Sequence, residues 1–464
     1  HLTDPHGADI ARFYPQQRNV HHIEARAEEH FNKTYGIVHP REQWATRRNI
    51  TTGPVKARTD ALQAFYFEAG GWERPHWYES NSDLVSTYEV PGRDHEWDAR
   101  WWTPISDAEH LHMRDHAGIV DLSAFQIFEV SGSGVLDYIE HMVVNKCDVK
   151  IGGSIYTPVL NNSGGFRSDL TILRVGQTRF RIVTGAFDGG RDEYWFRHNL
   201  PEDGTVQFEN RTNGLCTFGV WGPNAISILQ GMTESNLNQG AFPYGTCQEV
   251  LIAGLPTDMF RVSYVGDAGF EIYTPTQHGL ALWDAIVEHG SNFNLRPVGA
   301  AVYGTSGRIE KGYRLMGAEL DSEYTPVEAG LARPKVKAAD FIGKEAYLTA
   351  REESPCAQLC VLTVENHTCL DGYDRFPMGA GNEPILTSSG ERIVDAKGRV
   401  SRVTTAGNAP SVGKYLCMAY LPTDLCEIGT ELQVMYQNEN YPVKVATTGA
   451  NLALFDPDNG RMKA

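Results

Sequence analysis

Two carboxylates in this chain sit where a carboxylate can do chemistry. Asp169 follows the glycine pair of YTPVLNNSGGFRSDLT (156–171), and Glu271 follows the glycines of GDAGFEIYTP (266–275). Each stands at the entry of a β-biased apolar run. The Asn161-Asn162-Ser163-Gly164-Gly165 cluster reads as a tight hairpin turn, since these residues adopt left-handed backbone angles at little cost. That places Asp169 at or near the start of a returning strand over 170–175. An inward carboxylate between apolar neighbours is costly unless something partners it, and a carboxyl held that way can take or pass a proton. Taken alone, Asp169 also reads as a turn or edge-strand aspartate, and Glu271 as a salt-bridging residue.

The elements around these carboxylates alternate between helix and strand. The segment DAEHLHMRDH (107–116) predicts a helix with Asp107 as its cap. His110, His112 and His116 do not share a face of it, which argues against a common metal. GIVDLSAFQIFEVSG (118–132) alternates as strand, and a helix over 134–142 follows. Strands over 179–184 and 215–221, helices over 191–200 and 222–229, and strands over 249–252 and 258–262 lead to the second glycine turn. Helices are expected over 279–287, 299–311 and 343–351. From residue 357 short strands recur between turn residues, which predicts an antiparallel barrel.

Residues 1–80 differ: one short polar helix, over 21–31, and scattered aromatics without a period suggest an extended arm whose rings need a partner surface. His21-His22 lacks a carboxylate or thiol constellation, so no metal site is expected. The 464 residues carry a net charge of −17, which argues against a broad nucleic-acid or anionic-membrane surface. No run reaches the length of a membrane span. Eight scattered cysteines without a CxxC pair point to free thiols in a reducing compartment, cytoplasmic or, in a eukaryote, the mitochondrial matrix.

Eight motifs, in order, resemble the aminomethyltransferase (glycine cleavage T-protein) family, most nearly the folate-binding half of dimethylglycine and sarcosine oxidases and dehydrogenases. They are GIVDLS (118–123), the segment 130–134, 156–171, FGVWGPNA (218–225), GDAGFEIYTP, RIEKGYRLMGAEL (308–320), TPVEAGL (325–331) and DFIGKEA (340–346). ADIARFYP (8–15) and FNKTYGIVHP (31–40) resemble the connector between the flavin and folate halves of such oxidases. The resemblance implies an α+β, cloverleaf-like fold: two α/β folate-binding subdomains over 100–350 and a C-terminal barrel over 351–464 around a folate channel, with 1–99 as connector-like arm.

It further implies that Asp169 is the catalytic carboxylate at the reactive folate nitrogens. Tyr156, Val183, Thr184, Tyr264, Glu271, Ile272, Tyr273 and Arg333 then fall at cofactor-binding positions. A pterin edge donates N–H groups that a buried Glu271 can accept. Two departures weaken a glycine-cleavage assignment: Gly304 and Thr305 stand where T-proteins carry Arg and Asp, and Arg333 stands where a Trp is usual. The expected function is capture by tetrahydrofolate of an iminium or formaldehyde equivalent from a small N-methyl substrate, with FAD confined to a flavoprotein oxidase partner or a missing N-terminal half. Two alternatives keep the fold: direct methyl transfer from a sulfonium, quaternary ammonium or aryl methyl ether, and a non-catalytic folate-binding role.

Overall fold

A computed structural model of the chain describes residues 8–377 and 382–464; residues 1–7 of the expected arm and 378–381 of the barrel segment lie outside the described residues. Two central sheets position the chemistry. The first has the strand order Ser154–Leu160, Phe166–Gly176, Arg179–Thr184, Gln126–Ser131, Gln207–Asn210. The second runs Cys247–Ile252, Leu255–Phe260, Gly269–Pro275, Leu215–Trp221, Ala117–Asp121, Leu295–Pro297, and its last pair is parallel.

In the first sheet the hairpin forms around the predicted turn. Asn161 Oδ1 accepts from the backbone N–H of Ser163 at 2.9 Å and of Gly165 at 3.1 Å, and Gly164 adopts φ +81°. The returning strand starts earlier than expected, at Phe166, so Asp169 lies within the ladder opposite Pro158 rather than at its start. Pairing continues Tyr156 with Thr171 and Thr171 with Val183. The two-residue period therefore puts Tyr156, Asp169, Thr171 and Val183 on one face. Leu170, Ile172, Phe180 and Ile182 point the other way into a core with Ile139 and Phe196 of the covering helices Val135–Met142 and Gly189–His198.

The open face of the first sheet meets the second. Leu173, Val183 and Ile127 pack against Leu215, Cys247, Phe260 and Tyr273 between them. Arg181 spans the gap, with Glu129 at 2.8 Å on its own sheet and Asp258 at 2.7 Å on the other. The second sheet's far face, with Phe218, Phe270 and Ile272, packs under the helices Ala225–Gln230 and Thr276–Gly290.

The C-terminal strands order as Ile385–Thr387, Glu431–Tyr436, Glu439–Thr448, Ala357–Val364, Lys414–Pro422, Val403–Ala409. The ends of this sheet meet: Ile385 N–H donates to Ser401 at 3.0 Å and Val403 N–H to Glu383 at 2.8 Å, which closes a barrel. Its inward face is a compact apolar cluster that includes Leu362, Cys417, Val434 and Val443. The buried Arg308–Glu319 pair (3.0 Å), extended by Arg308 to Thr405 Oγ1 at 3.1 Å, ties the barrel to the rest.

Two local expectations are corrected. Thr103, not Asp107, caps the helix Pro104–Asp115: its Oγ1 accepts from Ile105 N–H and Pro104 opens the first turn. Asp107 is buried one turn in and takes a hydrogen bond from Asn408. The second correction concerns the early aromatics. Phe67, Trp72, Trp77 and Tyr78 are buried within this chain by a three-stranded sheet (Thr51–Thr52, Trp72–Tyr78, Ala64–Ala69). That sheet docks through Tyr78 N–H on Glu109 at 2.8 Å. The expected polar helix runs from Val20 to Thr34. Among the described residues no helix is long and apolar enough to cross a membrane, and no group of three or more His, Cys, Asp or Glu is placed to hold a metal ion. Of the eight thiols, all free, only Cys356 is not buried.

Candidate active site

Tyr156 and Asp169 come together on neighbouring strands. Tyr156 Oη donates to Asp169 Oδ2 at 2.9 Å, the contact their register dictates, since the two lie diagonally across one strand pair. Tyr156 keeps 39% of its surface accessible, yet burial drives its hydroxyl well above the ordinary tyrosine value. Both facts hold together for a ring set in a recess of the protein, open to solvent on one side and surrounded by protein on the others. Asp169 shares that space. Its carboxyl is pushed up to about 6, first by burial, with Asp188 adding to the rise and the Tyr156 hydroxyl and Arg191 opposing it.

The other end of the cleft is built by the second sheet. Glu271 and Tyr273 alternate onto the face turned toward the first sheet, and Tyr273 Oη donates to Glu271 Oε2 at 2.6 Å. Tyr303 donates to the other oxygen, Oε1, at 3.3 Å. Burial raises the Glu271 carboxyl to about 7, against the pull of both phenols. Tyr264 bridges the two ends. Its ring centroid is 5.0 Å from that of Tyr303 and stacks at 5.4 Å on Tyr313, while its hydroxyl donates to the Arg314 carbonyl at 2.7 Å. The Asp169 charge adds to the rise that burial imposes on the hydroxyls of both Tyr264 and Tyr303, so the three lie within electrostatic reach of one another.

Other predicted site residues fall elsewhere. Ile272 points away from the cleft into the apolar core beside Phe218 and Met259, as alternation from Glu271 demands. Thr184 lies on the helix-covered side of the first sheet, where it and Ser168 donate to Asp192 at 2.6 and 2.8 Å. Val183 faces the inter-sheet gap opposite Thr171, on the Asp169 face of its sheet, in an apolar cluster that includes Tyr273. Arg333 is exposed next to Tyr156, with Nη2 3.4 Å from the Tyr156 carbonyl. A Cβ at Gly304 would meet nothing within 4 Å, so the place of the usual arginine is open.

Two groups escaped the sequence reading. Asp192 carries a carboxyl raised to about 7 by burial beneath the sheet. Tyr303 stands in Val302–Gly307, a π-helical turn within what reads as one continuous helix. The run Gly304-Thr305-Ser306-Gly307, poor in helix formers, was the available signal.

A cleft of about 1610 Å³ opens between the sheet edges around Arg179, Arg211, Glu209 and Leu251, with Tyr273 and Arg181 in its wall. It contains neither Asp169 nor Glu271. Convergent titratable groups, not volume, mark the reactive centre. The arrangement can hold an N–H-rich planar edge at Glu271 and exchange a proton at Asp169.

Comparison with known proteins identifies the family and the fold. The GCVT N-terminal domain family matches residues 55–337, the FAD dependent oxidoreductase central domain matches 3–52, and the glycine cleavage T-protein C-terminal barrel domain matches 376–449. The chain is 27% identical over 460 residues to the mitochondrial dimethylglycine dehydrogenase of Homo sapiens, covering 97% of this chain and 49% of that protein. It is 27% identical over 463 residues to the 4-methylaminobutanoate oxidase (formaldehyde-forming) of Paenarthrobacter nicotinovorans, covering 99% and 52%. With an aminomethyltransferase of Caldanaerobacter subterraneus it shares 28% over 360 residues, 76% of this chain and 90% of that one. The chain thus spans about half the length of the first two relatives. Its fold is that of the glycine cleavage system aminomethyltransferase T from Bartonella henselae, with a TM-score of 0.69 at 22% identity over 86% of this chain and 97% of that one.

Proposed function

This chain belongs to the GCVT family, and from that premise we propose that it binds tetrahydrofolate in the cleft and uses it as acceptor of a one-carbon unit from an N-methylated amine. One observation supports the reading: two carboxyls pushed up by burial, Asp169 and Glu271, each held by a tyrosine hydroxyl, are linked through the neighbouring rings of Tyr264 and Tyr303. The residues fit such a ligand. Glu271 is nine-tenths buried and, among the described residues, is met by phenols with no Lys or Arg in an ion pair to it, so its oxygens retain lone pairs for further donors. Tetrahydrofolate supplies the nucleophilic nitrogens that take the one-carbon unit. Asp169 holds or moves the proton at those nitrogens, and Tyr156 orients it. A ligand seated beside Tyr156 would displace the water that reaches this ring and so shield a reactive iminium or formaldehyde equivalent.

The oxidation that produces such an electrophile falls to a flavin-bearing partner domain or subunit. Support comes from the helix Val20–Thr34. Val20, Ile23, Phe31 and Tyr35 form an exposed stripe at helical spacing, continued by Ile37 and Val38, within and beside the stretch that matches the FAD dependent oxidoreductase central domain. Arg333, exposed beside Tyr156, is the cation assigned in this reading to the anionic tail of the folate.

The test is anaerobic calorimetric titration with tetrahydrofolate, followed by mass analysis of the folate product after incubation with N,N-dimethylglycine, with and without any flavoprotein captured with this chain. A 5,10-methylene product supports the reading. A 5-methyl product formed without flavin replaces it with direct methyl transfer, and absence of binding defeats both.

A further inference from the structure

We propose that Tyr303 is a positioning residue for the ligand-recognising end of the cleft: its hydroxyl orients Glu271 and holds that carboxyl in its ionised form, and the π-turn exists to deliver it. The inference rests on the reading that Glu271 meets the pterin edge. Four observations support it.

The turn Val302–Gly307 carries one residue more per turn than an α-helix, a feature that recurs at functional sites. As a result the successive residues Tyr303, Gly304 and Thr305 are all partly accessible, while Val302, Ser306 and Gly307 are buried. The turn is pinned at its end, because a Cβ on Gly307 would stand 2.6 Å from the Val302 carbonyl oxygen and 3.0 Å from Val265.

Second, the Tyr303 ring is held from three sides: Phe125, Trp221 and Tyr264 lie at 5.9, 5.5 and 5.0 Å between centroids. Trp221 is itself fixed by its indole N–H on the Val262 carbonyl at 2.8 Å. Third, the two phenols on Glu271 are unequal. Tyr273 holds Oε2 at 2.6 Å, whereas Tyr303 reaches Oε1 at 3.3 Å. The shorter bond anchors the carboxylate, and the longer one sets its orientation while leaving Oε1 a lone pair for an incoming N–H donor.

Fourth, the groups that face Glu271 are Tyr273, Tyr303, Tyr244 and Cys247, none of them cationic. The ionised form is held by hydroxyl donors alone, so removal of one donor has a direct electrostatic consequence.

The experiment is Tyr303→Phe, which keeps the ring and removes only the hydroxyl. Carbon-13 NMR of carboxyl-labelled glutamate, with Glu271→Gln assigning the resonance, follows Glu271 titration in ligand-free protein. Calorimetry then measures tetrahydrofolate binding from pH 5.5 to 8.5. The expected result is an upward move of the Glu271 midpoint in Y303F and a roughly three- to tenfold loss of affinity near pH 7. Most of that loss should be recovered at pH 8.5, where the carboxyl ionises regardless. An unchanged midpoint, or an affinity loss that is the same at every pH, overturns the proposal. Because the titration needs no ligand, it can succeed even if tetrahydrofolate fails to bind, which separates failure of this inference from failure of the functional reading.

Discussion

Asp169→Asn should stabilise the protein at neutral pH while removing its chemistry. The folded protein keeps the Asp169 carboxyl protonated up to about 6, whereas the ordinary value is 3.8. Between those limits the folded chain binds a proton that the unfolded chain has released, so stability falls as pH rises through about 4 to 6. At about 1.36 kcal/mol per tenfold change in acidity, the ceiling on this loss is about 3 kcal/mol. Asp169 borders a water-accessible cleft, so about 1–2 kcal/mol is the realistic share. An asparagine never ionises, and its amide oxygen can still accept from the Tyr156 hydroxyl now 2.9 Å from Asp169. Melting followed by intrinsic fluorescence should show the variant about 1–4 °C more stable at pH 7.5. The advantage should vanish at pH 3.5, where both states of the wild type are protonated. Folate product formation should drop by about 10²–10⁴, with tetrahydrofolate affinity changed only a few-fold. A variant less stable than wild type at pH 7.5, or a difference independent of pH, would refute the reasoning.

Glu271→Gln should weaken tetrahydrofolate binding about 10–100-fold at pH 8, the worth of a lost charge-assisted pair, and flatten the acid limb of its pH profile; calorimetry reads both. Glu310 accepts from Arg114 at 2.9 Å and Ser411 N–H at 2.7 Å and lies 3.1 Å from His110 Nε2, and its carboxyl is held near 2 by His110 and Arg114 against burial. Its contribution is present above about 4.5 and lost as pH falls toward 2, so Glu310→Gln should cost about 3–5 kcal/mol at pH 7 and progressively less in acid. Denaturant unfolding at pH 7 and pH 3 measures the difference. The double variant Ile23→Glu, Phe31→Glu should lose a co-purifying flavin absorbance without a change in melting temperature beyond about 1 °C, since both side chains are exposed.

The parts of the site that could be read from sequence are those fixed by local rules. The turn at 161–165 sets a hairpin register, and that register brings Tyr156 to Asp169 with no further information. The same two-residue period places Glu271 and Tyr273 together, and it also shows why Ile272 and Thr184 were misplaced as ligand contacts: each is one residue from a cleft-facing neighbour and so points the other way. What stayed hidden depends on distant packing. The π-turn is stabilised where Gly307 closes on Val265, forty-two positions earlier, and nothing in the helical pattern over 299–311 reports that contact. The burial of Trp72 and Trp77 was missed for a related reason. Their strand pairs locally, but the surfaces that cover it are distant in sequence: Ile105 of the helix Pro104–Asp115 packs with Trp77, and Ala124 and Ala186 pack with Trp72. Once those rings are satisfied internally, the apolar surface that remains on the helix Val20–Thr34 is better defined, and Val20, Ile23, Phe31 and Tyr35 are left as the face that a flavin-bearing partner would cover.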